Sequence, residues 1–435
     1  MEQRLDHSIP QRFLVTNRED LYLNLFFLGF ILHTVFYSLT ATRFPYILGQ
    51  GFQSIGLVLL FYCGYMLMRW KFESAYFRLF FTLYLIWLFG VVIRGGGLSY
   101  GLIKSYLFQA WFGGMLYLVP LIALLPRNLY YYKKFFDLII VLAAVHLALD
   151  IVFIGDLMAA PDLDEELVGK SAVEVFSRTL GIPTGFILLT YPYHSRKRLF
   201  FSIFTLFLII IFGIMRARRG LILMASLPLM FSYIMYLYRS NFKMKSLMII
   251  ATVMGALLLN AYAIRVFNNG SMFQYLNERA LEDTRTGVEV RFYHDFGMLD
   301  WVVGRGINGK YYCPEVPSPN DVHGYREVIE TDFLQIILKG GLISLGLLMA
   351  ILVPAMLIGF FQSNNLLAKA SSIWIFLAIL NMYPSTVNTF TMNYILVWMA
   401  VGICYSKTIR MIPDEVLARY FQYGFQSIAT YKLEK

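Results

Sequence analysis

Three arginines stand in one short turn between two long apolar runs: Arg216, Arg218 and Arg219. A guanidinium keeps its charge at any physiological pH, and its planar fork of donors matches phosphate and carboxylate oxygens. The charge pattern of the other short connections puts this turn outside the cytoplasm, where cations run against the usual orientation bias. The three arginines therefore read as serving an anionic ligand. Arg94, in the glycine-rich segment 93–101, falls on the same side, and its glycines let backbone approach a ligand closely. Further on, Arg291 precedes Asp295 by four residues, a spacing that suits an ion pair on a helix. His323, Glu327 and Glu330 follow at spacings of four and three, so on a helix they share one face. A carboxylate or imidazole on that face has the chemistry to take a proton from a hydroxyl. Each of these residues also has an inert reading. The arginine turn suits snorkelling to lipid headgroups, Arg291 a local salt bridge, and Glu330 an acid favoured by the dipole of a helix start. His33, His146 and Asp150 lie in apolar runs, where a hydrogen bond to a neighbouring helix is the expected role, and Lys339 reads as a bridge between helices. No His, Cys or Asp grouping has metal-ligand spacing, so neither a metal nor a cofactor is expected.

The elements that must position these residues are membrane spans. Of 435 residues 58% are hydrophobic and 15% charged, which excludes an ordinary soluble domain. Apolar runs of about 20 residues read as transmembrane helices. Twelve are expected, near 21–41, 46–68, 75–93, 104–125, 135–155, 178–193, 198–215, 220–238, 246–266, 331–361, 366–382 and 390–407. Alternate connections carry the basic residues: Arg4, Arg12 and Arg18; Arg69, Lys71 and Arg78; Arg127, Lys133 and Lys134; Arg196, Lys197 and Arg198; Arg239, Lys243 and Lys245. With twelve spans this alternation makes both termini, 1–20 and 408–435, cytoplasmic. The connection 156–177 is acidic, as an outer loop tolerates. The net charge of +10 follows from this bias, and nucleic acid is not an expected partner. Cys63, Cys313 and Cys404 do not make a disulfide framework. The first apolar run is span-length and follows 20 polar residues, unlike a cleavable signal.

Spans 21–266 and 331–407 flank a polar loop, 267–330, with six Lys or Arg and ten Asp or Glu. Its composition is not that of a disordered segment, and it is too long for a connector. Helices are expected over about 271–283 and 288–302, the second stopped by Gly304, Gly306 and Gly309. A further polar helix is expected from Asp321 into the tenth span. The loop reads as a folded lid over an outward-facing cavity.

Three segments resemble the bacterial O-antigen polymerase and O-antigen ligase membrane proteins: Met-Arg-Ala-Arg-Arg-Gly-Leu-Ile-Leu (215–223), the stretch from Arg291 to Gly309 with its Trp and Gly-x-Gly, and the stretch 323–348 with Phe-Leu, a glycine pair and a further apolar run. The order of the motifs and one large loop before the tenth span also resemble that superfamily. Glu330-Thr331 stands where ligase members carry a His-Asn pair, which favours the polymerase branch.

The resemblance implies an all-α polytopic fold of the GT-C-like kind and glycosyl transfer outside the bacterial cytoplasmic (inner) membrane. The implied donor and acceptor are glycans on undecaprenyl pyrophosphate, in a bed of membrane lipids, with a separate chain-length regulator as partner. Arg216, Arg218, Arg219 and Arg94 are then expected on the pyrophosphate. Arg291 is expected to complete the clamp, Glu330 is the first choice of base and His323 the second. A pyrophosphate is already a good leaving group, so this chemistry demands no metal. Rival readings are an O-antigen ligase, a flippase for lipid-linked oligosaccharide, and a non-catalytic anchor for an assembly complex.

Overall fold

The computed structural model describes residues 15–95, 100–158, 172–216, 218–250, 252–254, 286–314 and 324–424. Among them, eight helices are long and apolar enough to cross a membrane. These are α1 (Asn17–Leu39), α2 (Tyr46–Leu67), α3 (Ala75–Gly95), α5 (Leu129–Val152), α6 (Ala172–Leu189), α7 (Arg196–Met215), α8 (Arg219–Arg239) and α11 (Asp332–Phe361). Shorter elements between and after them include α4 (Tyr100–Phe108), a 3-10 segment (Gly114–Leu124), α9 (Thr286–Asp295), α10 (Met298–Val303), α12 (Leu366–Asn381), α13 (Met392–Tyr405) and α14 (Asp414–Tyr423). The chain is thus an all-α, multi-pass membrane protein. Its only strands among the described residues are the two-residue pair β1 (Tyr311–Tyr312) and β2 (Tyr325–Arg326).

Large apolar side chains such as Ile47, Val58, Phe89 and Phe200 stand exposed on the outer helix faces. Water would penalise that arrangement and hydrocarbon does not. Inside, α13 is buried at all fourteen residues and packs against α11, α12 and the 3-10 segment. Helices α1 and α2 meet through Gly29 and Gly56. A methyl on Gly29 would stand 2.7 Å from the Gly56 carbonyl oxygen, and one on Gly56 2.6 Å from that of Gly29. Small residues let backbones approach where lipid supplies no hydrophobic drive.

Polar contacts tie one end of the bundle together. Glu19 accepts from Arg69 at 2.9 Å, Asp20 from Tyr130 at 2.6 Å, and Asp137 from Arg198 at 2.6 Å. Asp414 on α14 accepts from Arg239 at 2.6 Å and Tyr193 at 2.5 Å. The basic connections between spans thus gather at one end, and residues 286–314 and 324–331 pack at the other.

Several expected elements differ. The run 104–125 is α4, a break, and the 3-10 segment. Gly113 closes the break, since a methyl there would lie 2.2 Å from the Gln109 carbonyl oxygen, and Pro120 lacks the N–H that an α-helix needs. The helix expected over 288–302 is two, because Gly297 is extended and caps α10. Gly304, at φ 70°, ends α10 as expected. The helix expected from Asp321 does not form over 325–331. There Tyr325 and Arg326 pair with Tyr312 and Tyr311, and the extended Thr331 is the N-cap of α11. Glu327 and Glu330 therefore share no helical face. Of the run 246–266, residues 246–250 and 252–254 are described and helical, while 271–283 and His323 lie outside the described residues.

Candidate functional site

Helix α11 is not one continuous rod. Gly341 has φ 68° and ψ −176°, and the ladder breaks there. At membrane depth the freed carbonyls need donors, and the loop after α10 and Trp87 of α3 supply them. Arg305 N–H donates to the Leu338 carbonyl at 2.8 Å, Gly306 N–H to Lys339 at 2.9 Å, and the Trp87 indole to Gly340 at 2.9 Å. The same loop reaches α3, where Ile307 N–H donates to the Val91 carbonyl at 3.1 Å. Asn308 Nδ2 donates to the Gly95 carbonyl and to the Tyr106 hydroxyl. Arg305 pins this loop to α9 and α10 through Asp295 at 2.5 Å and Asp300 at 2.7 Å. Its hydrogen bond holds the Asp300 carboxyl below the usual carboxylate range.

Between this seam and the 3-10 segment lies a small cleft. Aromatic residues Tyr84, Trp111, Tyr117 and Tyr394 line it, together with Asp332 and Lys339 of α11. Positions 332, 335, 336 and 339 recur at helical spacing, so one face of α11 forms a wall. Lys339 Nζ donates to the Gly309 carbonyl at 2.9 Å, bridging helix to loop rather than helix to helix. Asp332 Oδ2 accepts from the N–H groups of Val387 and Asn388, each at 3.0 Å.

A cationic cluster adjoins the cleft. Glu174 on α6 accepts from Arg178 Nη2 at 3.0 Å and from Arg218 Nη1 at 3.1 Å. Arg178 sits where α6 widens into a π turn, Ser177–Gly181, and its carbonyl accepts from Asn393 of α13 at 2.7 Å. Its guanidinium lies 5.3 Å from the centre of the Trp111 ring, on the cleft wall. This cation–π contact places the guanidinium at the cleft wall. The π turn re-aims Arg178 relative to a regular helix, as single π bulges do at many functional sites.

The expected site residues divide into groups. Arg218 is in the cluster, and Arg219 is exposed at the first turn of α8 beside it. Arg216 instead donates through Nε and Nη2 to the Leu157 carbonyl, at 3.2 and 2.7 Å. Arg94 donates to the Val303 carbonyl at 2.7 Å and lies over Trp87. Arg291 and Glu330 are exposed, and neither lines the cleft. Asp295, expected opposite Arg291, is bound by Arg305. Of the residues in apolar runs, His33 does reach another helix, at the Leu107 carbonyl of α4, while His146 faces Asp150 of its own helix at 3.0 Å. Arg178, Glu174, Asp332 and Trp111 are the residues that sequence reasoning missed. An arginine one turn inside an apolar run was the available signal for Arg178.

No family model, curated protein or solved structure matches this chain.

Proposed function

We propose that this chain is a membrane glycosyltransferase that joins oligosaccharide repeat units, carried on undecaprenyl pyrophosphate, into a surface polysaccharide of the O-antigen, capsule or exopolysaccharide kind. In this reading the chain crosses the bacterial cytoplasmic membrane twelve times with both termini cytoplasmic, and 267–330 is the outer loop. The observation that carries the reading is the arginine pair on Glu174 beside an aromatic cleft. Glu174 brings the two guanidinium groups together, where a phosphate can bind both. Side-chain exposures of 12% for Arg178 and 32% for Arg218 put the pair in a partly dried setting, where charge–charge attraction is strong. A pyrophosphate leaving group gains charge as its glycosidic bond breaks, and fixed donors there lower the barrier, each by about 3–4 kcal/mol. Tyrosine and tryptophan rings suit the apolar faces of sugars. Arg216 and Arg94, both bound to backbone carbonyls, enter this reading as supports for the arginine turn and the loop. Glu330-Thr331 favours the polymerase over the ligase.

The test is reconstitution of the full chain with lipid-linked repeat units extracted from cells lacking it, in the presence of a chelator. The expected result is a size ladder of lipid-linked products. Transfer only after adding a lipid A core or another acceptor would make the chain a ligase.

A second reading, a flippase for lipid-linked oligosaccharide, is favoured by two interrupted helices, at Gly341 and at 109–113. Transporters build their sites at such breaks. Movement of labelled lipid across the bilayer without covalent change would select it.

A further inference from the structure

One carboxylate in the cleft is only half used by the fold. Asp332 is 0% exposed. Its Oδ2 is fixed by the two N–H groups of the 387–388 turn, and its own N–H donates to the Met382 carbonyl at 2.9 Å. Its Oδ1 is buried and has no hydrogen-bond partner among the described residues. Leaving a buried acceptor unmet is costly, and more so when it is charged. A fold keeps such a group where a ligand brings the missing donor. The carboxylate cannot rotate to relieve Oδ1 without breaking both bonds to Oδ2. It is therefore preorganised, with one oxygen fixed by backbone and the other buried and unpaired, on a residue that lines the cleft beside Tyr84, Tyr117 and Tyr394. The Arg178 guanidinium lies over Trp111 on the wall of the same cleft. The arginine pair thus stands beside the cleft.

Resting on the glycosyl-transfer reading, we infer that the cleft is the acceptor-sugar subsite and that Asp332, not Glu330, is the catalytic base. Oδ1 accepts the hydrogen bond of the acceptor hydroxyl and takes its proton as that oxygen attacks the anomeric carbon of the donor. A bond forms between the acceptor oxygen and the anomeric carbon. The bond from that carbon to the pyrophosphate oxygen breaks, and its electron pair leaves on the lipid pyrophosphate. The proton on Asp332 passes to water when the product leaves. Glu330, two residues earlier, is exposed on the non-helical approach to α11 and does not line the cleft.

The experiment uses the full chain in lipid nanodiscs with the extracted lipid-linked repeat units, comparing wild type, Asp332→Asn and Asp332→Glu. Asparagine keeps the shape and an oxygen for the two backbone donors but does not take the proton. The expected result is a kcat lower by roughly 100-fold or more, with donor binding and thermal midpoint close to wild type. A role confined to holding the 387–388 turn would shift the midpoint and leave kcat within about threefold, which overturns the inference. If Asp332→Asn does not fold, kcat against pH for Asp332→Glu decides. A displaced acid limb supports the base, and an unmoved limb overturns it. A wild-type chain that binds donor and forms no product overturns the transfer reading and the base together, whereas activity in both wild type and Asp332→Asn overturns the base alone.

Discussion

Glu174 holds two arginines from different helices, Arg178 of its own helix through Oε1 and Arg218 at the head of α8 through Oε2, at 3.0 and 3.1 Å. It locks the π turn to the arginine turn, and it also competes with any anion for the two guanidinium groups. Glu174→Gln should therefore separate two effects. The fold loses a charge-assisted contact worth about 1.5–3 kcal/mol, so the thermal midpoint falls. Affinity for pyrophosphate-linked lipid rises, because the competing charge is gone. A titration of both variants with undecaprenyl pyrophosphate checks it, and unchanged affinity would show that the cluster is structural.

Arg216 and Arg218 should behave differently although only Ala217 separates them. Arg216 caps the Leu157 carbonyl through two nitrogens. Arg216→Ala is expected to lower stability by about 1–3 kcal/mol and to leave kcat within a few-fold. Arg218→Ala is expected to reduce transfer by roughly 100-fold or more. Rates and thermal midpoints measured on the same preparations separate the two.

Gly341 cannot carry a side chain. Its φ of 68° disfavours any L residue, and a methyl would stand 2.1 Å from the Val302 carbonyl oxygen. The contact is with backbone of α10, just before the loop that satisfies the broken helix, so no rotamer change relieves it. Gly341→Ala should cost more than the roughly 1–3 kcal/mol of backbone strain alone. The expected readout is a large loss of folded material by size-exclusion chromatography. Gly346→Ala, where a methyl meets nothing within 4 Å, should be tolerated.

His194 makes stability depend on pH. It is 7% exposed, burial lowers its pKa to about 3, and it contacts the Thr190 hydroxyl at 2.9 Å. In the unfolded chain the ring titrates near pH 6.5. Below that value the unfolded state takes up a proton that the folded state refuses. The stabilising contribution is thus full above about pH 6.5 and declines toward the folded value, by at most about 1.4 kcal/mol per pH unit. Thermal midpoints between pH 7.5 and 5 should fall in the wild type and fall less in His194→Gln.

Apolar runs of span length were legible because hydropathy reads directly as length in a bilayer, and eight of the described helices meet that measure; Arg218 was conspicuous as a cation in the turn between two of them. The partners of Arg218 were not. Glu174 was assigned to an acidic loop, since the sixth span was started at Arg178. The helix in fact begins at Ala172, which draws Glu174 inward to meet both arginines. The spacing of His323, Glu327 and Glu330 invites a helix and draws the eye away from Asp332. Two-residue strands between Tyr311–Tyr312 and Tyr325–Arg326 prevent that helix, and such short non-local pairing leaves no periodic trace in a sequence. The break at Gly341 was equally hidden, because a glycine pair in an apolar run reads as close packing as easily as a kink.

The central claim is that the arginine pair recognises pyrophosphate. Its most direct measurement is equilibrium binding of undecaprenyl pyrophosphate and undecaprenyl monophosphate to the full chain in nanodiscs, for wild type, Arg178→Ala, Arg218→Ala and the double variant. The account predicts tighter binding of the pyrophosphate, a loss of about tenfold or more in each single variant, and similar affinities for the two lipids in the double variant. Pyrophosphate affinity within about twofold of wild type in both single variants would contradict it.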